Sequence, residues 1–358
     1  MPEGGGLAST PARAALDRLW ERGTSFLGSR TAILGGAMSW VSERRLVSAI
    51  SEAGGFGVIA CGSMGPAQLA AEIEATQALT AKPFGVNLIT MHPQLAELIE
   101  VCRAAGVGHV VLAGGLPASA AVRAVKDGGA KLICFAPALA LARRLVRQGA
   151  DALVIEGSEA GGHVGPVSLG VLAQEILPAV EEVPVFVAGG IGRGEAILAY
   201  LEMGASGAQL GTRFAATRES IAHPRFKEAF VRASARDALP SAQLDARFPV
   251  IPVRGLANAG TRRFLEHQAE TIRRFQAGEL TREAAQLAIE HFWAGALRRA
   301  VIEGDVEEGS VMAGQSVGMV SGVQSVAAVL AELVDQADAA LARRRDLALA
   351  RRRDRAGP

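Results

Sequence analysis

Between residues 156 and 165 the chain reads EGSEAGGHVG, which places two carboxylates, one imidazole and four glycines in ten positions directly after the apolar run DALVI. An imidazole titrates near neutrality, so His163 is the side chain best suited to moving a proton at physiological pH. Gly161 and Gly162 precede it and, lacking Cβ atoms, leave the ring accessible. A lone loop histidine also serves as a hydrogen-bonded structural residue, and the stretch by itself leaves both roles open. Glu156 and Glu159 flank the same turn, one suited to ligand hydroxyls and the other to fixing the loop. The remaining histidines (His92, His109, His223, His267, His291) show no metal-ligand spacing with one another or with a cysteine pair, so no catalytic metal is expected.

Two further glycine-rich turns carry a second kind of chemistry. In AGGIGRGEA (188–196), Gly189 and Gly190 end an apolar run and RGEAILAYL opens a helix, so unshielded N–H groups with a helix dipole behind them could accept a phosphate. In QLGTRF (209–214), Gln209 and Leu210 end another run, and Gly211 and Thr212 offer one more N–H and a hydroxyl. Tight turns alone would explain a single Gly-Gly pair; two such turns on neighbouring strands favour a phosphate-bearing ligand. Near the N-terminus, GGAMSWV (35–41) lets backbone approach a flat ligand at Gly35 and Gly36 and presents Ala37 and Met38 as small or soft surface. Asn87 ends a buried apolar run, where an amide either satisfies neighbouring backbone or reads a ligand heteroatom.

These turns need a scaffold that brings them together. Eight apolar runs recur, at 31–35, 57–60, 84–88, 109–113, 131–135, 152–156, 185–189 and 207–211, with amphipathic helical patterns such as SERRLVSAISEAG and PQLAELIEVCRAAG between them. Each intervening segment is long enough for the crossover that parallel strands require. The pattern predicts an α/β fold, a closed TIM (β/α)8 barrel over 31–217 with ligand-binding loops after the strands; an open doubly wound sheet is the alternative. After the eighth run the rhythm stops. Residues 218–300 are expected to form a mainly helical cap, with ARFPVIPVRGLANAG irregular, and 301–340 to return to the barrel wall. Thr10 and Pro11 mark a short lead-in helix within an N-terminal extension, 1–30, and the arginine-rich stretch 341–358 reads as a solvated helix end fraying into disorder.

Composition narrows the partners. A net charge of +1 over 358 residues gives no global field for nucleic acid or a membrane surface. Only 4% of residues are aromatic and 42 are glycine, which suits small side chains between parallel strands and helices. Three dispersed cysteines, Cys61, Cys102 and Cys134, read as reduced core thiols, and with no export-type start in the first thirty residues a cytoplasmic location is expected.

Taken together, EGSEAGGHVG, AGGIGRGEA and QLGTRF resemble the FMN-dependent barrel family that includes nitronate monooxygenases (formerly 2-nitropropane dioxygenases) and flavin-type enoyl-acyl carrier protein reductases. GGAMSWVSERRLVSAISEAGGFGVIACGSM, KPFGVNL and GDVEEGSVMAGQSVGMV extend the likeness over roughly residues 30–335. The resemblance implies FMN as cofactor and His163 as the catalytic or substrate-polarising histidine. It implies that Gly161, Gly162, Gly189, Gly190, Gln209, Leu210, Gly211 and Thr212 hold the phosphate and ribityl chain. Asn87 and Glu156 would contact the flavin, Ala37 and Met38 would lie by its ring, and Met312, Gly314 and Gln315 would close over it. The chain departs from the family at Glu156, where many relatives carry Gln, and at AILGG. The implied substrate is a nitronate oxidised with O2, or an enoyl thioester reduced with NAD(P)H. A non-catalytic flavin- or phosphate-binding barrel is a third reading, and a homodimer is a candidate assembly.

Overall fold

The computed structural model describes residues 11–356. Its centre is one all-parallel sheet of eight strands: β1 (Ile33–Gly35), β2 (Gly57–Ala60), β3 (Phe84–Ile89), β4 (His109–Ala113), β5 (Lys131–Phe135), β6 (Ala152–Glu156), β7 (Val185–Ala188) and β8 (Gly207–Leu210). Neighbours in sequence are neighbours in space, β8 pairs with β1, and a parallel bridge between Leu34 and Phe56 joins β1 to the start of β2. The sheet is therefore a closed barrel, as the eight apolar runs predict. Its strands are almost wholly buried because helices cover the outside and side chains fill the inside, which is why they read as continuous apolar runs rather than alternating ones.

The N-terminal segment forms two helices, Pro11–Leu19 and Glu21–Leu27, where the sequence predicts one; Thr10 lies outside the described residues. Phe26 closes the N-terminal end of the barrel. It meets His109 edge-on at 5.4 Å, its carbonyl bonds the His109 Nε2 at 3.0 Å, and Lys131 lies over its ring. Burial pulls the His109 pKa below the usual histidine value, which marks this residue as a neutral structural one.

The C-terminal helix, Val326–Ala356, packs along the helix Gly194–Glu202 and stays helical where the sequence predicts fraying. Their contact is backbone to backbone at Gly194: a Cβ there would collide with the Leu333 carbonyl, and the Gly194 N–H donates to Gln336 Oε1 at 2.8 Å. Gly194→Ala should therefore lower stability by about 3 kcal/mol, read as a shifted urea midpoint at constant slope.

Residues after β8 join two cores. The helix Pro224–Arg232 inserts Phe226 and Phe230 into the barrel core. Helices Ala259–Gln276 and Arg282–His291 build a small separate core around Phe248, Phe264, Ala285 and Ile289. The stretch read as irregular contains a strand, Val253–Leu256. It pairs antiparallel with Ala238–Pro240 on one side and with Gly162–His163 on the other. Among the described residues, no helix is long and apolar enough to cross a membrane.

Candidate active site

A cavity of about 560 Å³ opens at the C-terminal end of the barrel. Its floor is the strand ends, including Asn87 and Ile89 of β3, Phe135 of β5 and Glu156 of β6, and its walls are the loops that follow them. The sequence-derived residues Ala37, Met38, Asn87, Glu156, Gly161, Gly162, His163, Gly189, Gly190, Gln209, Leu210, Gly211, Thr212 and Met312 all line it. Gly314 and Gln315 do not. Their backbones are spent on neighbouring loops: the Gly314 N–H donates to Thr212 Oγ1 at 3.0 Å and the Gln315 N–H to the Glu159 carbonyl at 2.9 Å.

The turns after β7 and β8 form a cradle of donors. Gly189 and Gly190 have φ of +98° and +68°, a left-handed backbone that glycine adopts freely. Among the described residues, the N–H groups of Gly190, Gly211 and Thr212 meet no protein acceptor. The Thr212 hydroxyl accepts from Gly314, which leaves its own proton to donate elsewhere. Unpaired donors on two adjacent turns suit a phosphate monoester. The turn after β7 is held from below by Arg213, whose buried guanidinium donates to the Gly192 carbonyl at 2.5 Å and pairs with Glu332 of the C-terminal helix at 2.9 Å. Arg213 thus supports the cradle from behind.

The missing Cβ atoms of this site face protein more than ligand. One added at Gly161 would lie 2.5 Å from the Gly314 nitrogen, and one at Gly190 would lie 2.9 Å from the Glu159 Cβ. Glycine is required here because loops cross in contact. The accessibility of His163 has another source, the ribbon that pairs Val253 with His163 and Arg254 with Gly162. Arg254 is buried, and its guanidinium donates to the Ser158 carbonyl at 3.0 Å and the Ala238 carbonyl at 2.5 Å, clamping the loop that carries His163. Sequence reasoning missed it, because a single arginine among prolines and valines reads as a solvated residue.

The two loop carboxylates have separate parts. Glu159 accepts from the Leu169 N–H at 3.0 Å and caps the helix Leu169–Ile176. Glu156 faces the cavity, and burial pushes its pKa up to about 7. Its folded value lies above the unfolded one of ~4.3, so the associated stability is complete below that value and is lost as pH rises through 7. Glu156→Gln should accordingly stabilise the ligand-free protein by roughly 3 kcal/mol at about pH 8 and by little at about pH 4, measured as the difference in unfolding free energy. Desolvation also pulls His163 below the usual imidazole value, which keeps it neutral at neutral pH although one face is open.

Met38 is set by a tight turn in which the Ser42 hydroxyl accepts from the Met38 N–H and donates to the Gly36 carbonyl. The turn holds Trp40 at φ 67°, with its ring beneath Arg298 of the segment that also supplies Leu297 to the cavity wall. Cys61, Cys102 and Cys134 are free and buried, their thiols pushed up to about 11, 12 and 12 by burial, so none is a ready nucleophile.

Residues 21–105 and 94–336 match the family described as nitronate monooxygenase. The chain belongs to that family. Similarity runs to proteins of more than one named activity. A (3aS,4S,5R,7aS)-5-hydroxy-7a-methyl-1-oxo-octahydro-1H-indene-4-carboxyl-CoA dehydrogenase of Mycobacterium tuberculosis is 34% identical over 224 residues, 62% of this chain and 63% of that protein. The solved structure of FabK from Thermotoga maritima superposes with a TM-score of 0.82 at 36% identity, covering 91% of this chain and 98% of FabK. A nitroalkane oxidase from Streptomyces ansochromogenes gives a TM-score of 0.72 at 27% identity, covering 87% and 97%. The names of these relatives record different substrates, a carboxyl-CoA for one and a nitroalkane for another.

Proposed function

We propose that the chain is an FMN-dependent oxidoreductase that oxidises alkyl nitronates, the anions of nitroalkanes, with O2. The observation that carries the reading is the pairing of a neutral, ribbon-pinned His163 with the unpaired donors of Gly190, Gly211 and Thr212 across one cavity. The cavity volume of about 560 Å³ falls in the range of cofactor sites, and the cradle suits the phosphate of FMN. Gly190, Gly211 and Thr212 would hold that phosphate, Gln209 and Asn87 would meet the polar middle of the molecule, and Ala37 and Met38 would back its ring. When bound, FMN supplies electron acceptance from substrate and return of those electrons to O2.

The protein's own part is proton handling and orientation. With its pKa lowered, the His163 ring is unprotonated at neutral pH and can take the α-proton of a nitroalkane. Glu156, close to half protonated near pH 7, can donate a hydrogen bond to an oxygen of substrate or cofactor. The ribbon and Arg254 fix the histidine loop so that little reorganisation accompanies proton transfer.

A second reading, reduction of an enoyl thioester by NAD(P)H, is favoured by GDVEEGSVMAGQ, whose likeness is to the flavin-type enoyl-acyl carrier protein reductases. Between Arg218 and Arg274, eleven basic residues stand against six acidic ones, and the nine left after the buried Lys227 and Arg254 are set aside suit an anionic partner. Anaerobic mixing of the FMN-loaded protein with a nitronate, and separately with NADH, distinguishes them. Loss of the oxidised flavin absorbance with the nitronate alone supports nitronate oxidation; rapid loss with NADH alone overturns it.

A further inference from the structure

A second hollow of about 270 Å³ adjoins the main cavity and belongs to none of the roles above. It lies between the helices Leu139–Gln148 and Leu169–Ile176, with the turn containing Leu116 and the Gly165–Val167 loop at its rim. Its wall includes Leu141, Leu145, Leu172 and Val167, of which Leu145 and Leu172 are core residues. Among the described residues, Glu156 is the one ionisable side chain that lines it. Phe135 and Glu156 line both spaces and so form the partition between them.

This lining excludes several ligands. A phosphate, carboxylate or sugar would find no cation and too few polar groups, and a cation would find a single carboxyl and no further acidic side chain. An unbranched hydrocarbon chain fits the walls. Because the partition is shared, such a chain need not be a separate ligand: it can be the tail of a molecule whose head lies beside His163.

We infer that the hollow between these two helices is the tail pocket of the substrate, and that it selects unbranched alkyl chains attached to the reacting carbon. The inference rests on the nitronate reading for the identity of the head group and on the hollow alone for the tail. Each methylene entering it gains about 0.8 kcal/mol of transfer free energy, or about fourfold in affinity, until the hollow is filled. Branching at the carbon that passes Phe135 and Glu156 should abolish the gain.

The test uses the FMN-loaded protein and two rim variants, Leu116→Trp and Val167→Phe. Leu116 is 40% exposed and Val167 half-buried, so both larger side chains can fill the opening without disturbing the barrel core. KM is measured for primary nitronates from ethyl to hexyl. Straight-chain primary alcohols of the same lengths are titrated in parallel by calorimetry, which needs no turnover. Wild type should gain about fourfold per methylene in both series, and the variants should lose that slope while treating the shortest members as wild type does. An equal slope in wild type and variants, or no slope in wild type, overturns the assignment. If nitronates are not turned over but the alcohol slope is present and the variants abolish it, the nitronate reading falls and the tail pocket stands.

Discussion

His163→Ala should reduce kcat/KM for a neutral nitroalkane by about 10²- to 10⁴-fold and leave the protein yellow. The size follows from removing a positioned proton acceptor. The retained colour follows from geometry, because the cradle of Gly190, Gly211 and Thr212 is built on the turns after β7 and β8, whereas His163 is presented by the loop after β6 and held by the ribbon strand Val253–Leu256. A preformed nitronate has already lost its proton, so the same variant should retain far more activity on the anion than on the neutral compound. The pH profile gives an independent check. The competent ring is unprotonated, and desolvation lowers its pKa from the usual imidazole value. Wild-type kcat/KM on the nitroalkane should therefore fall on the acid side, through a pKa below ~6.5, and that limb should vanish in the variant. Equal losses on nitroalkane and nitronate, together with colourless protein, would reassign His163 to cofactor retention.

What the sequence discloses of this molecule depends on how far apart the interacting residues are. Runs such as GVIA, HVVLA and KLICF coincide with β2, β4 and β5 because strands buried on both faces must be apolar throughout, a local property that any reader of the chain can see. The cavity-lining residues on those strand ends are legible for the same reason: once the strands are known, the barrel places the following loops on one face. The ribbon is not legible. Gly162–His163 is too short to show alternation, and its partner lies about ninety residues later among prolines, so the pairing exists only in the assembled molecule. Buried arginines escape for a related reason. Arg213 and Arg254 are inside because backbone carbonyls from distant loops converge on them, which no residue adjacent in sequence announces. Gly314 and Gln315 illustrate the reverse, a motif recognisably part of the site whose contacts are to other loops rather than to the cavity.

That distinction between lining the cavity and bracing it yields the second large effect, at Gly161. Its absent Cβ points at the backbone of the late segment, 2.5 Å from the Gly314 nitrogen and 2.6 Å from the Ala313 carbonyl carbon, and the absent Cβ of Gly314 points back to within 2.9 Å of the Gly161 nitrogen. Two chains that touch through glycines cannot accept a branched side chain without separating. Gly161→Val should push the two segments apart and break the bonds that depend on their contact, Gly314 N–H to Thr212 Oγ1 at 3.0 Å and Gln315 N–H to the Glu159 carbonyl at 2.9 Å. Overpacking of this kind costs about 3 kcal/mol, and where the strain falls on the cradle it corresponds to roughly a hundredfold weaker FMN binding. Thr212→Val bears on the same brace without overpacking: it preserves side-chain volume but removes the hydroxyl donor and orphans the Gly314 N–H, so FMN affinity should drop and the stability of the FMN-free protein, read from the urea midpoint, should fall by about 1–2 kcal/mol, against about 3 kcal/mol in Gly161→Val. If Gly161→Val purified with full flavin and an unshifted midpoint, the segments would not be in the contact that braces Thr212, and the cradle would have to be held by the turn after β7 alone.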